Sequence, residues 1–155
     1  DRFMLKVVVD YPNKSEELEI LQRMAKTTQA TAVDCVMQSD SIAHARTLVD
    51  QIYVDDKIAE YIVELIQTSR TPEIVSEELA EFVEYGASPR ATLALTLCAK
   101  ANAFLDGRGY VVPQDVKDLA HDVLRHRIAT TYEAEAEGKT SDDIVTSILD
   151  FVPVP

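Results

Sequence analysis

With 155 residues, 46% of them hydrophobic and only 4 Gly and 6 Pro, the chain has material for a real core and too few turn formers for a β-rich or low-complexity fold. A net charge of -12 repels polyphosphate backbones, which argues against a main role in nucleic-acid binding and reads as a solvated acidic surface. No apolar run approaches the roughly 20 residues a membrane helix needs, and no signal peptide is evident, so a cytoplasmic protein without a membrane span is expected.

Residues 3–12, FMLKVVVDYP, are β-branched and apolar and end at Tyr-Pro, which reads as a buried strand. A lone strand is not stable. It either pairs with strands outside this sequence or packs as an extended arm on the helices. An opening at Asp1 without Met fits a piece of something longer.

Helices follow. Ser15 precedes EELEILQRMAK, with Leu18, Leu21 and Met24 on one face and an acidic first turn. Residues 31–37, TAVDCVM, are ambiguous; residues 41–52 place Ile42, Ala45, Leu48, Val49 and Ile52 at helical spacing. Residues 54–70 are the clearest helix. Asp55-Asp56 starts it, Ile58, Ile62, Leu65, Ile66 and Ser69 share a face, and Thr71-Pro72 stops it. Residues 72–86 are acidic and helical in period only in their second half.

Ser88 is a good N-cap and Pro89 suits the first helical position. From there Leu93, Leu97, Ala101, Phe104 and Leu105 make a long apolar stripe, closed by the turn DGRGY at 106–110. Pro113 opens a helix with Val116, Leu119, Ala120 and Val123 inward, and its end, HDVLRHR, reads as solvated. Residues 128–138 fit a strand or a loop, and residues 140–152 a last helix with Ile144, Val145, Ile148 and Leu149 on its apolar face. The fold class is mainly α: a helical bundle preceded by one strand. Cys35 and Cys98, isolated from each other, read as reduced core thiols of a cytosolic protein.

Much chemistry is missing. There is no G-x-x-x-x-G-K-[ST] loop, no nucleophile–base pairing, and no metal site: His44, His121 and His126 do not pair at i, i+4. As a self-sufficient enzyme the chain lacks parts. Arg90 stands out, because a cation in the first turn faces the positive end of the helix dipole, a cost of about 0.3–1 kcal/mol when exposed. It makes sense where an anion shares the site, gripped by free N–H groups and a bidentate guanidinium. The alternative is an ion pair with Glu81 or Glu84. Arg2, just before the apolar run, is placed to project toward another molecule.

Taken in order, DRF with the strand and YP (1–12), VDDKIAEYIVELIQTSR (54–70), GASPRA (86–91), AKANAFLDGRGYVVPQDV (99–116) and RHRI (125–128) resemble the C-terminal part of a MoxR-type AAA+ ATPase. The resemblance covers nearly the whole chain and implies a division: residues 1–12 as the last core strand and hinge, residues 13–155 as the helical lid. It implies that Arg90, with Ser88 and Pro89 around it, is the sensor 2 arginine that reaches the terminal phosphate of ATP held by the core. It implies that Arg2 is the arginine finger acting on the neighbouring subunit's ATP, and that Tyr11 and Pro12 lie at the hinge near the adenine. The family's P-loop, Walker B acids and sensor 1 are not in this sequence. ATP and Mg are therefore expected with the full-length protein and no cofactor with this chain alone. The implied partners are its own core domain, the neighbouring subunits of a ring and an unknown client protein that the parent remodels or matures. The rival reading is an acidic helical adaptor that only binds proteins, with no nucleotide role.

Overall fold

The computed structural model describes residues 2–27 and 33–155. Its helices are α1 (Lys14–Met24), α2 (Ser39–Asp50), α3 (Asp56–Thr68), α4 (Glu77–Phe82), α5 (Pro89–Leu105), α6 (Pro113–Leu124), α7 (Tyr132–Ala136) and α8 (Ser141–Phe151). Two short strands, β1 (Val83–Tyr85) and β2 (Ala129–Thr130), pair antiparallel, with Val83 opposite Thr130 and Tyr85 opposite Ala129. The chain is mainly α, as its periodicity implies.

The helix ends follow side-chain chemistry. Asp55 caps α3 through the Lys57 N–H at 3.0 Å, and Thr140 caps α8 reciprocally with Asp143. The cap of α1 is Asn13, which closes a box with Glu16; the start expected at Ser15 lies two residues inside it. The ambiguous stretch splits: Thr31 and Ala32 fall outside the described residues, and 33–37 form no helix or strand. The acidic 72–86 stretch resolves into a 3-10 turn (Pro72–Ile74), α4 and β1.

The core lies between α3, α5, α6 and α8. Ile62, Leu65, Leu95, Val116, Val123 and Ile148 are all fully buried in it. Burial of a side chain of this size contributes about 1.5–3 kcal/mol. In α5 the buried face differs from the expected stripe. Leu93, Leu97 and Leu105 are exposed, while Ala91, Ala94, Leu95, Cys98, Ala99 and Ala103 face inward. The helix is apolar nearly all round, and small side chains are what let α3 and α6 approach its axis. Cys98 is in the core, but Cys35 is exposed, so only one of the two is a core thiol.

The strand expected over 3–12 is absent among the described residues. Without neighbouring strands to take its N–H and C=O groups, the β-branched run remains an extended arm, with Phe3 81% and Val9 88% exposed. The arm lies on the end of α6, where the Lys6 N–H reaches the Asp122 carbonyl at 2.8 Å.

Candidate functional site

The site begins with the loop that carries α5. Gly86 runs against the end of α3: a Cβ at this position would lie 2.2 Å from the Ser69 carbonyl oxygen and 2.7 Å from the Arg70 Cα. The buried Ser69 hydroxyl accepts the Ala87 N–H at 3.0 Å and donates to the Ile66 carbonyl at 2.7 Å. Arg70 Nε donates to the Ala87 carbonyl at 2.6 Å. The loop between β1 and α5 is thus fixed to α3 before the helix begins. Ser88 then caps α5 by accepting the Arg90 N–H at 3.3 Å, with Pro89 at the first helical position. Gly86→Ala is expected to destabilise the chain by about 1–3 kcal/mol, the usual cost of overpacking against atoms that cannot move aside. A thermal melt unchanged from wild type would show that the loop is not fixed in this way.

The second part is the arm and the end of α6. The HDVLRHR segment is half-buried, not solvated, because Arg125, His126 and Arg127 take the arm's main-chain carbonyls. Arg125 Nη1 donates to Lys6 O at 3.0 Å, and His126 Nε2 to Phe3 O at 2.9 Å. Arg127 donates from Nη2 to Phe3 O at 2.6 Å, from Nη1 to Met4 O at 3.1 Å, and from Nη1 to Val123 O. A carbonyl only accepts, so the His126 proton sits on Nε2. Burial pushes the Arg127 guanidinium below the usual arginine range, with the neighbouring Cys98 opposing, and it remains a cation at neutral pH. Arg125 also pairs with Asp122 at 2.8 Å and with Asp142 of α8 at 2.9 Å.

These contacts bring the two predicted arginines together. Arg2, Arg90 and Arg127 line one open concavity of about 400 Å³, walled by Met4, Leu93, Ala94 and Leu97. Part of the leucine stripe that α5 turns outward is thus the floor of this site. Ser88 and Pro89 form the start of the same helix, while Tyr11 and Pro12 are not among the lining residues and Tyr11 is 99% exposed. Among the described residues no group of three or more His, Cys, Asp or Glu side chains is arranged to hold a metal ion.

The third part was not visible in the sequence. Asp115, 1% exposed, accepts from Arg108 at 2.6 and 2.8 Å, from the Val112 N–H at 2.8 Å and from Asn102 at 2.9 Å. It ties the 106–112 turn to α5 and caps α6. Burial alone raises the Asp115 carboxyl, but the hydrogen bonds from Arg108, Val112 and Asn102, with the Arg108 charge, hold it below the ordinary carboxylate range.

Residues 76–148 match the AAA lid domain family. The chain is 33% identical over its whole length to the chaperone MoxR1 of Mycobacterium tuberculosis, covering 41% of that protein. It is 35% identical over its whole length to the uncharacterized protein YeaC of Bacillus subtilis, covering 46% of it. A crystal structure of a protein provisionally described as an ATPase, from Cytophaga hutchinsonii, superposes with a TM-score of 0.91 at 35% identity, over 99% of this chain and 47% of the other. The chain carries a MoxR-type AAA+ lid. It spans somewhat under half the length of these relatives. The match to the lid family begins at the cap of α4 and takes in the loop carrying Arg90, the Asp115 network and the RHR segment, while the arm lies before it. No helix of the lid, among the described residues, is long and apolar enough to cross a membrane.

Proposed function

We propose that this chain is the nucleotide-responsive lid of a ring-forming ATPase that remodels or matures a partner protein, working in the cytoplasm. The reading requires a core domain outside this sequence that holds ATP and Mg, with residues 1–12 as its last strand and the hinge to the lid. ATP supplies the phosphoryl group. This chain supplies cations: Arg90 of the lid grips the terminal phosphate, and Arg2, ahead of the lid, offsets the charge that develops on transfer.

The observation that carries the reading is the shared concavity of Arg2 and Arg90. A phosphate entering it meets both guanidiniums, with the N-terminus of α5 beside them. It also adds a condition that the sequence does not suggest. An arginine finger serves the neighbouring subunit's ATP, so Arg90, on the same concavity, serves that ATP as well.

Mixed rings test this. Subunits carrying Arg90→Ala are combined with subunits lacking the P-loop lysine. At some interfaces an intact P-loop then faces an intact Arg90 across the boundary, and hydrolysis is expected to recover in part. No recovery in rings shown to co-assemble would place Arg90 on its own subunit's nucleotide. Arg90→Lys separates the lid from the adaptor reading. A point charge does not reproduce a bidentate grip, so ATP affinity is expected to fall about 10–100-fold, as for loss of a charge-assisted hydrogen bond. Normal hydrolysis and unchanged ATP preference in Arg90→Lys would favour the adaptor.

A further inference from the structure

We infer that Arg127, backed by Arg125 and His126, is a positioning residue that fixes Arg2 beside Arg90, so that the arm and the lid move as one body. The inference rests on the reading of Arg2 and Arg90 given above. Side-chain burial holds the arm only in part: Met4 and Leu5 are 47% and 39% exposed, but Phe3 is 81% exposed, Val7 62% and Val9 88%.

Its main chain is what the lid holds. Phe3 O takes two donors, Arg127 Nη2 at 2.6 Å and His126 Nε2 at 2.9 Å. Met4 O takes Arg127 Nη1 at 3.1 Å, Lys6 O takes Arg125 Nη1 at 3.0 Å, and the Lys6 N–H goes to Asp122 O at 2.8 Å. Every one of these contacts is to backbone, so the latch fixes position and direction whatever side chains the arm carries. Arg2 directly precedes the doubly held Phe3.

Arg127 is suited to this role. A planar guanidinium with five N–H donors can take the Phe3, Met4 and Val123 carbonyls together, bridging the arm and the end of α6. An ammonium on a flexible stem cannot hold the three in one fixed geometry. Arg127 also lines the concavity, so any shift in its contacts moves the arm where Arg2 works.

The test uses Arg127→Lys, which keeps the charge and loses the fork. In this chain, hydrogen exchange at the Lys6 amide and the rest of the 2–9 segment is expected to speed up at least about tenfold, while α3 and α5 keep their protection. In the full-length protein kcat is expected to fall about 10²-fold, the scale of a displacement of about 1 Å at a reacting centre, with little change in KM for ATP. In an Arg2→Ala background the same change is expected to add nothing further, because Arg127 acts through Arg2. Arg127→Gln, which drops the charge and keeps an amide donor, gives a second route to the same readouts if the lysine variant folds poorly.

Unchanged exchange in the arm overturns the latch. A raised KM with normal kcat overturns it too, since Arg127 would then bind nucleotide itself. An additive loss in the double variant would show that Arg127 acts apart from Arg2. Arg2→Ala with impaired hydrolysis and Arg127→Lys with normal hydrolysis overturns this inference alone. Arg2→Ala with normal hydrolysis overturns the finger reading and the catalytic half of the inference with it.

Discussion

Full-length subunits carrying Arg2→Ala are expected to bind ATP and to lose hydrolysis at the neighbour's site. Arginine fingers are worth about 10³–10⁵ in rate in well-studied phosphoryl-transfer systems, and a ring with several coupled sites can show less. The loss falls on kcat because the contact strengthens as charge builds on the transferred group, a stage that ground-state binding does not sample. The check is phosphate release from rings of Arg2→Ala subunits, alone and mixed with P-loop-dead subunits. Mixing places an intact finger opposite an intact P-loop at some interfaces, so activity is expected to return in part. Rings that demonstrably co-assemble and stay silent would remove Arg2 from the chemistry. Loss of ATP affinity, with kcat preserved, would make Arg2 a binding residue.

What made the site legible was a local rule broken in one place. Arg90 is a cation at the positive end of a helix, and that mismatch is visible without coordinates. Arg125 and Arg127 obey the same rule, since cations suit a helix C-terminus, and with His126 between them they read as an ordinary solvated end. Their real acceptors are carbonyls more than a hundred residues earlier in the chain, at Phe3, Met4 and Lys6. The signal that could have found them is density: three potential cations in a row are more than one helix end requires.

The fold divides in the same way. The inward faces of α3, α6 and α8 follow from strong 3.6-residue periodicity, and Ile62, Leu65, Val116, Val123, Ile144 and Ile148 lie where it puts them. In α5 periodicity has little to say, because apolar residues surround the axis; alanines fill the tight inner face and leucines face out. The arm shows the limit of β propensity. Val7, Val8 and Val9 favour an extended chain, but a strand is a pairing, and the partner is not encoded locally. In the sequence Gly86 is the first residue of GASPRA, and the structure gives its physical reason: the Ser69 carbonyl occupies the space a side chain would need.

Asp115→Ala is expected to be the most damaging single change to stability. The carboxylate is 1% exposed and takes four hydrogen bonds: two from Arg108, and one each from Asn102 and the Val112 N–H. Removing one partner of a buried ion pair costs about 3–5 kcal/mol. The low end is expected here, since Arg108 keeps Asp106 at 2.9 Å and a quarter of its side chain reaches solvent. The same change strands the Asn102 amide and uncaps α6. For a chain of this size such a loss lowers Tm by roughly 6–20 °C. The pH dependence has a fixed sign. The folded carboxyl titrates below its ordinary value, so its stabilisation is fully present above about pH 4, the unfolded value, and disappears as the pH falls through the folded value. The gap in Tm between wild type and Asp115→Ala is therefore expected to be constant near neutrality and to narrow only in acid. Asp115→Asn, which keeps the shape and an acceptor oxygen but not the charge, is expected to fall between the two. A gap under about 1 kcal/mol at neutral pH would put this site in the range of an exposed pair, and the network could not then be what fixes the 106–112 turn against α5.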